Sequence, residues 1–188
     1  MKTTDDLKKE HEGIQLMLRV LQNVADKFKS GKRVDTEHLD AILEFLAVFV
    51  DRCHHGKEEE FLFPALEVAG VPREGGPIGV MLNEHQQGRE LVAGLKDALT
   101  DYKSGNNEKA SSIHLVINEY VALLTQHIAK ENTVLFPMAD AKLDPEKDNE
   151  LFEAFEQLER ERIGVGKHEE FHALLDKLQT TYLAADKG

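Results

Sequence analysis

The chain of 188 residues has no tryptophan, three tyrosines, five prolines and one cysteine. A single cysteine, Cys53, excludes an internal disulfide and suits a reducing compartment. No stretch approaches the roughly 18 consecutive apolar residues of a membrane-spanning helix. The N-terminal MKTTDDLKKEHEGIQ has no apolar run of the kind a secretory signal needs. Positive charge is also short: 23 Lys and Arg against 35 Asp and Glu leave a net charge of −12. An acidic surface repels phosphate backbones and anionic lipid, so neither nucleic acid nor membrane is expected as a partner. Together these absences point to a cytoplasmic protein. No segment alternates with the two-residue period of a half-buried strand.

Helical periodicity and histidine are what the chain does have. Leu7, His11, Ile14, Leu18, Leu21, Ala25 and Phe28 form one helical seam, closed at Ser30-Gly31. Asp35 or Thr36 can cap a second helix, with a seam of Leu43, Ala47, Val50, His54, Glu58, Phe61 and Ala65; Pro64 should kink or end it. AGVPREGGP (69–77) reads as a loop. A third seam runs Ile78, Met81, His85, Gly88, Val92, Leu95, Leu99, Tyr102. After a break at SGNN (104–107), a fourth runs Ile113, Ile117, Tyr120, Leu124, His127, Glu131, Val134, Met138. Leu151, Phe155 and Leu158 mark a shorter helix. GVG (164–166) interrupts it, and His168, Phe171, Leu175, Leu178 and Tyr182 line a last one. Short loops between long amphipathic helices predict an all-α, up-down-up-down four-helix bundle. The expected organisation is one domain over 1–188: a bundle over 1–141 and a two-helix C-terminal extension over 142–188, packed on it.

The sequence repeats. CHHGKEEEFLFPAL (53–66) aligns with QHIAKENTVLFPMA (126–139) through their LFP triplets, at an offset of 73. His54 then falls on His127, Lys57 on Lys130, Glu58 on Glu131 and Pro64 on Pro137. Glu10-His11 and Glu84-His85 repeat at an offset of 74. Residues four apart share a helix face, so His54 points with Glu58 and His127 with Glu131. All lie on core seams. A buried carboxylate must protonate, pair or bind a cation, and no Lys or Arg occupies those seam positions. A cation therefore resolves the conflict. Histidine with carboxylate and no thiolate suits iron, manganese or zinc. Twofold pseudosymmetry implies two ions, with Glu58 and Glu131 between them.

HEGIQLML (11–18), HHGKEEEFLFP (54–64), NEHQQGRELV (83–92) and HIAKENTVLFP (127–137) resemble the hemerythrin-like, or HHE cation-binding, domain family over roughly residues 5–140. The resemblance implies two iron ions with a bridging oxo or hydroxo group, ahead of manganese or zinc. It makes His11, His54, His85 and His127 terminal ligands and Glu58 and Glu131 bridges. It implies a small-molecule partner, O2, NO or peroxide, bound for sensing, storage or delivery. Enzymatic use of peroxide or O2 is the alternative; iron-sulfur repair is less expected, because no cysteine-bearing segment precedes the first helix.

The oxygen-carrying members of the family this chain resembles hold a fifth histidine four residues after the one on the third helix. Here that position is Arg89. His168 is the expected substitute, with His172 at the edge of the same face. Five histidines leave one coordination position open, four leave two, and open positions are what make such a site reactive. His38, His55 and His114 are expected on the surface and Cys53 as a packing residue. Glu59, Glu60 and Glu67 are expected on a solvated face, with Glu60 or Glu67 able to tune the ligands. Tyr120 is expected as core, secondarily as a hydrogen-bond donor to a bound ligand.

Overall fold

The computed structural model describes residues 1–105, 107–164 and 166–183, with 107–111 described by their backbone alone. The expected breaks at 104–107 and 164–166 each include one residue outside this set, Asn106 and Val165. Every regular element among the described residues is helical. α1 is Lys2–Lys29. α2 covers 36–68 without interruption: an α-helical stretch Thr36–Glu44, π-helical stretches Phe45–His55 and Glu58–Leu62, and a closing α-turn Phe63–Val68. α3 is Pro77–Lys103. α4 covers 107–142, with a π-turn Glu131–Leu135 between Asn107–Lys130 and Phe136–Lys142. α5 is Pro145–Arg162 and α6 is Lys167–Tyr182.

Local chemistry explains the starts. The Asp35 carboxylate accepts the Glu37 amide at 2.9 Å, capping α2. Asp144 caps α5 through the Lys147 amide at 2.8 Å, with Pro145 at its first position. No side chain of its own caps α1. Asp148 of α5 does so instead, accepting the Lys2 amide at 2.9 Å, the Thr3 amide at 3.1 Å and the Thr3 hydroxyl at 2.6 Å. These hydrogen bonds hold the Asp148 carboxyl below its usual range against the opposing effect of burial.

Of the two outcomes expected at Pro64, a kink or an end, the helix does not end there, and Pro137 does not end α4. Each follows a π-turn in which the amide of Phe63 or Phe136 reaches back five residues, to the carbonyl of Glu58 or Glu131. The extra residue in each turn also slips the buried face by one. The α-helical seam predicts Phe61, Ala65, Val134 and Met138 inside. The buried residues are Leu62, Leu66, Leu135 and Ala139, while Val134 is 49% exposed.

The apolar core is divided. One cluster gathers Ile14 to Phe28 of α1, the first half of α2, the C-terminal half of α3, most of α4 and Phe171, Leu175, Leu178 and Tyr182 of α6. The other holds Leu7, Leu62, Phe63, Leu66, Ile78, Met81, Leu135, Phe136, Leu151 and Phe155. His11, His54, Glu58, His85, His127 and Glu131, each no more than 1% exposed, fall near the sequence boundary between the two, His127 one residue before Ile128 of the first.

Candidate metal centre

α1 to α4 each bring a histidine to this polar layer, and α2 and α4 add a glutamate. His11 Nε2 stands 3.0 Å from His54 Nε2, and His85 Nε2 stands 3.1 Å from His127 Nε2. The opposite ring nitrogen of each is held by an acceptor. His54 Nδ1 meets Glu10 at 2.8 Å, His85 Nδ1 meets Glu59 at 2.7 Å, His127 Nδ1 meets Glu84 at 3.0 Å, and His11 Nδ1 meets the Asn132 side-chain oxygen at 3.0 Å. An imidazole that donates through Nδ1–H presents a lone pair at Nε2. With all four rings neutral, each pair aims two lone pairs at each other, which is repulsive unless a proton or a metal ion lies between them. With metal–nitrogen bonds of about 2.1 Å, neighbouring ligands of an octahedral ion stand about 3 Å apart, the spacing found here twice.

The carboxylates link the pairs. Glu131 Oε2 is 3.2 Å from His11 Nε2 and its Oε1 is 3.2 Å from His127 Nε2. Glu58 Oε2 lies 3.4 Å from His85 Nε2 and 3.9 Å from His54 Nε2. No hydrogen bond of good geometry reaches any of their four oxygens. Burial, then the neighbouring Glu131, push the Glu58 carboxyl well above its usual range. Burial opposes the charge of Glu131, but His127 and His11 outweigh it and hold that group well below its range. Two buried carboxylates with one negative charge between them is the state expected before cations arrive. The donor atoms form two overlapping groups, His11–His54–Glu58–Glu131 and Glu58–His85–His127–Glu131, sharing both glutamates. The residues fit a pair of ions.

Charged side chains brace the histidines. Glu10 also accepts from Lys57 Nζ at 2.7 Å, and Lys57 pairs further with Asp6 at 2.9 Å and Glu159 of α5 at 3.4 Å. Burial alone would raise the Glu10 carboxyl, yet His54 and Lys57 lower it to about 2. Burial pushes His54 down to about 4 despite Glu10. Arg89 donates to Glu59 at 2.6 Å and to Asp51 at 2.7 Å, so it braces the carboxylate behind His85. The Cys53 thiol is fully buried, 3.9 Å from Glu10, and burial raises its pKa.

Several expectations need correction. His168 is not brought to the centre. α6 packs on the outside of α1, so His168 is a third exposed, lies tilted beside the Phe49 ring and stands 3.6 Å from Glu159. His172 rests against it. His55 is 4% exposed, stacked at 3.8 Å on His85. Its side chain cannot be sorted from that of His54 by α-helical spacing, because Phe45–His55 winds as a π-helix. His38 is buried against the Tyr182 hydroxyl at 3.0 Å, covered by α6. His114 is half-buried. Of the three glutamates set on a solvated face, Glu59 turns inward to His85, while Glu60 pairs with Arg162 and Glu67 with Arg73. Tyr120 is 3% exposed, as core.

Comparison with known proteins bears on these residues. The profile of the hemerythrin HHE cation binding domain matches residues 2–139. The uncharacterized protein Rv1995 of Mycobacterium tuberculosis is 24% identical over 174 residues, which cover 93% of this chain and 66% of that protein. The iron-sulfur cluster repair protein YtfE of Salmonella newport is 35% identical over 114 residues, 55% of this chain and 46% of YtfE. The chain thus spans just under two thirds of the first relative and under half of the second. No solved structure matches. No helix among the described residues is long and apolar enough to cross a membrane.

Proposed function

The chain belongs to the hemerythrin HHE cation-binding domain family, and on that premise we propose that it holds two iron ions, bridged by Glu58, Glu131 and an oxo or hydroxo group, and binds a small ligand such as O2, NO or peroxide there. His11 and His54 serve one ion, His85 and His127 the other. Residues 1–141 then act as an up-down-up-down bundle around the centre, and α5 and α6 as an extension laid on it. The observation that carries this reading is the pair of opposed Nε2 couples at 3.0 and 3.1 Å with a Glu131 oxygen 3.2 Å from each. Four histidines leave open positions on both ions, which favours ligand binding over a purely structural role. The likeness to YtfE supports a second reading, iron handling in cluster repair, in which the same ions are delivered rather than kept.

Purified protein should contain two irons per chain, and Glu131→Ala should hold fewer than one. Full helicity with no iron, and no uptake of ferrous ion, defeats the proposal. Anaerobic titration of the reduced protein with O2, NO and peroxide then separates the functions. Reversible spectral change with O2 supports carriage, turnover of peroxide supports an enzyme, and transfer of iron to a chelating acceptor supports repair.

A further inference from the structure

A cavity of about 450 Å³ opens between α2 and α3 and reaches inward to His55. A single water occupies about 30 Å³, so this space far exceeds a diatomic ligand and falls in the range of organic-molecule sites. Leu43, Ala47, Val50, Val92 and Ala93 supply apolar walls. Lining residues on α2 run from Asp40 to His55, so the space is elongated along the helix. The charged groups on the lining are matched within the protein: Asp40 with Lys103, Glu44 with Lys167, and Asp51 with Arg89. Lys96, at the outer end, is exposed to water. An ionic occupant would find little unmatched charge inside.

His55 is the anomaly at the floor. Both its ring nitrogens are buried and without a hydrogen bond, Asp51 Oδ1 standing 3.6 Å from Nδ1, which is costly for an imidazole. Its counterpart in the repeat is Ile128, an ordinary core residue that is 1% exposed. A ring nitrogen of His55 lies within 4.8 Å of one on His85 and one on His127, but the ring geometry is poor for sharing an ion with His85. The two rings are stacked 15° from parallel with centroids 3.8 Å apart, and a ligating imidazole aims its lone pair within its own plane. An ion in the plane of His85 therefore lies far out of the plane of His55.

We propose that this cavity binds a neutral, elongated organic molecule whose hydroxyl group meets His55 at the inner end. A hydroxyl both donates and accepts, matching an imidazole with one donor and one acceptor nitrogen. Such a molecule would end one ring away from the centre, beside His85. The binding site stands on its own geometry; only its use by the metal pair rests on the reading above.

Decan-1-ol is the probe, titrated calorimetrically into the protein as purified, with iron measured on the same sample. Saturable binding at one site per chain is expected. Filling the cavity by Ala47→Trp, or by Val92→Phe if that variant does not fold, should weaken it at least about tenfold, and His55→Leu should weaken it about three- to tenfold. Iron content and the optical spectrum should stay unchanged in all three. Binding that persists in an iron-free preparation supports the cavity while defeating the metal reading. Absence of saturable binding, indifference to both filling variants, or loss of iron in His55→Leu overturns the proposal.

Discussion

The two halves of the centre are built from one repeated motif and yet differ in what surrounds it. In the first half Glu10, His54 and Lys57 form a chain of contacts; in the second Glu84, His127 and Lys130 form the same chain. The Lys57 side chain is 1% exposed and that of Glu10 4%, because α5 lies over them and contributes Glu159. Lys130 is 39% exposed and Glu84 13%, with water at hand. The same three residues are thus a buried ionic network on one side and a partly solvated one on the other. A second difference lies at the residue after Glu58 and after Glu131. Glu59 puts a carboxylate behind His85, whereas Asn132 puts a neutral amide behind His11. A motif determines which atoms meet, and the cover determines what the meeting is worth.

The largest expected effect breaks the comparison outright. Glu10→Ala leaves Lys57 buried beside only half-buried partners, and should destabilise the iron-free protein by about 3–5 kcal/mol. Glu84→Ala should cost about 1 kcal/mol or less, since Lys130 can turn to water. Urea denaturation of the two variants side by side measures the contrast; equal losses would mean that the cover does not matter.

Acid should expose the same asymmetry. Glu10 is lowered from 4.5 to about 2, so its contribution is complete above pH 4.5 and is lost as pH falls towards 2. His54 is lowered from 6.5 to about 4 and is held neutral. The unfolded chain therefore takes up a proton first, and stability falls between pH 6.5 and 4. Each window corresponds to about 3 kcal/mol as an upper figure. Glu10→Gln should flatten the lower window in pH-dependent unfolding of the iron-free protein, and Glu84→Gln should leave it in place.

A smaller change sharpens the second difference. Replacing Asn132 with Asp gives His11 the carboxylate support that the other three histidines have. Metal affinity, read by competition with a chelator, should rise by about tenfold; Asn132→Ala should lower it by about tenfold. Smallest is the loss of what ties α5 to α1. Asp148→Ala removes the cap of α1 and should lower stability by about 1 kcal/mol, seen as a modest fall in the thermal midpoint.

The division between legible and illegible follows the same physics. Apolar residues at helical spacing predict all six helices found among the described residues, since burial acts on every turn alike. The repeat selects six His and Glu residues that the structure gathers into one layer, because a polar side chain on a core seam is visible without coordinates. Illegible were the features that depend on helix register or on packing between distant segments. A π-turn adds one residue without any sequence mark beyond the proline that follows it, so Leu62 and Leu135 replace Phe61 and Val134 inside. His55 aligns with Ile128 and not with a ligand histidine, and it reads as a surface residue beside the seam, yet the structure buries it against His85. His168 lay on an apolar face, but the face of α6 meets the outer side of α1. The inward turn of Glu59 depends on Arg89 of a different helix, and no spacing within α2 encodes it.

The polar layer between two apolar clusters has a consequence for cooperativity. Core packing normally couples the ends of a helical protein, so that amide hydrogens at both ends exchange through one global opening. Here the coupling passes through four imidazoles and the Glu58–Glu131 pair rather than through apolar packing. Iron-free protein should therefore show two families of exchange rates, slow amides near Phe45 and Leu21 opening separately from those near Phe63 and Phe136. Ion binding, which acts as folding free energy, should merge them into one.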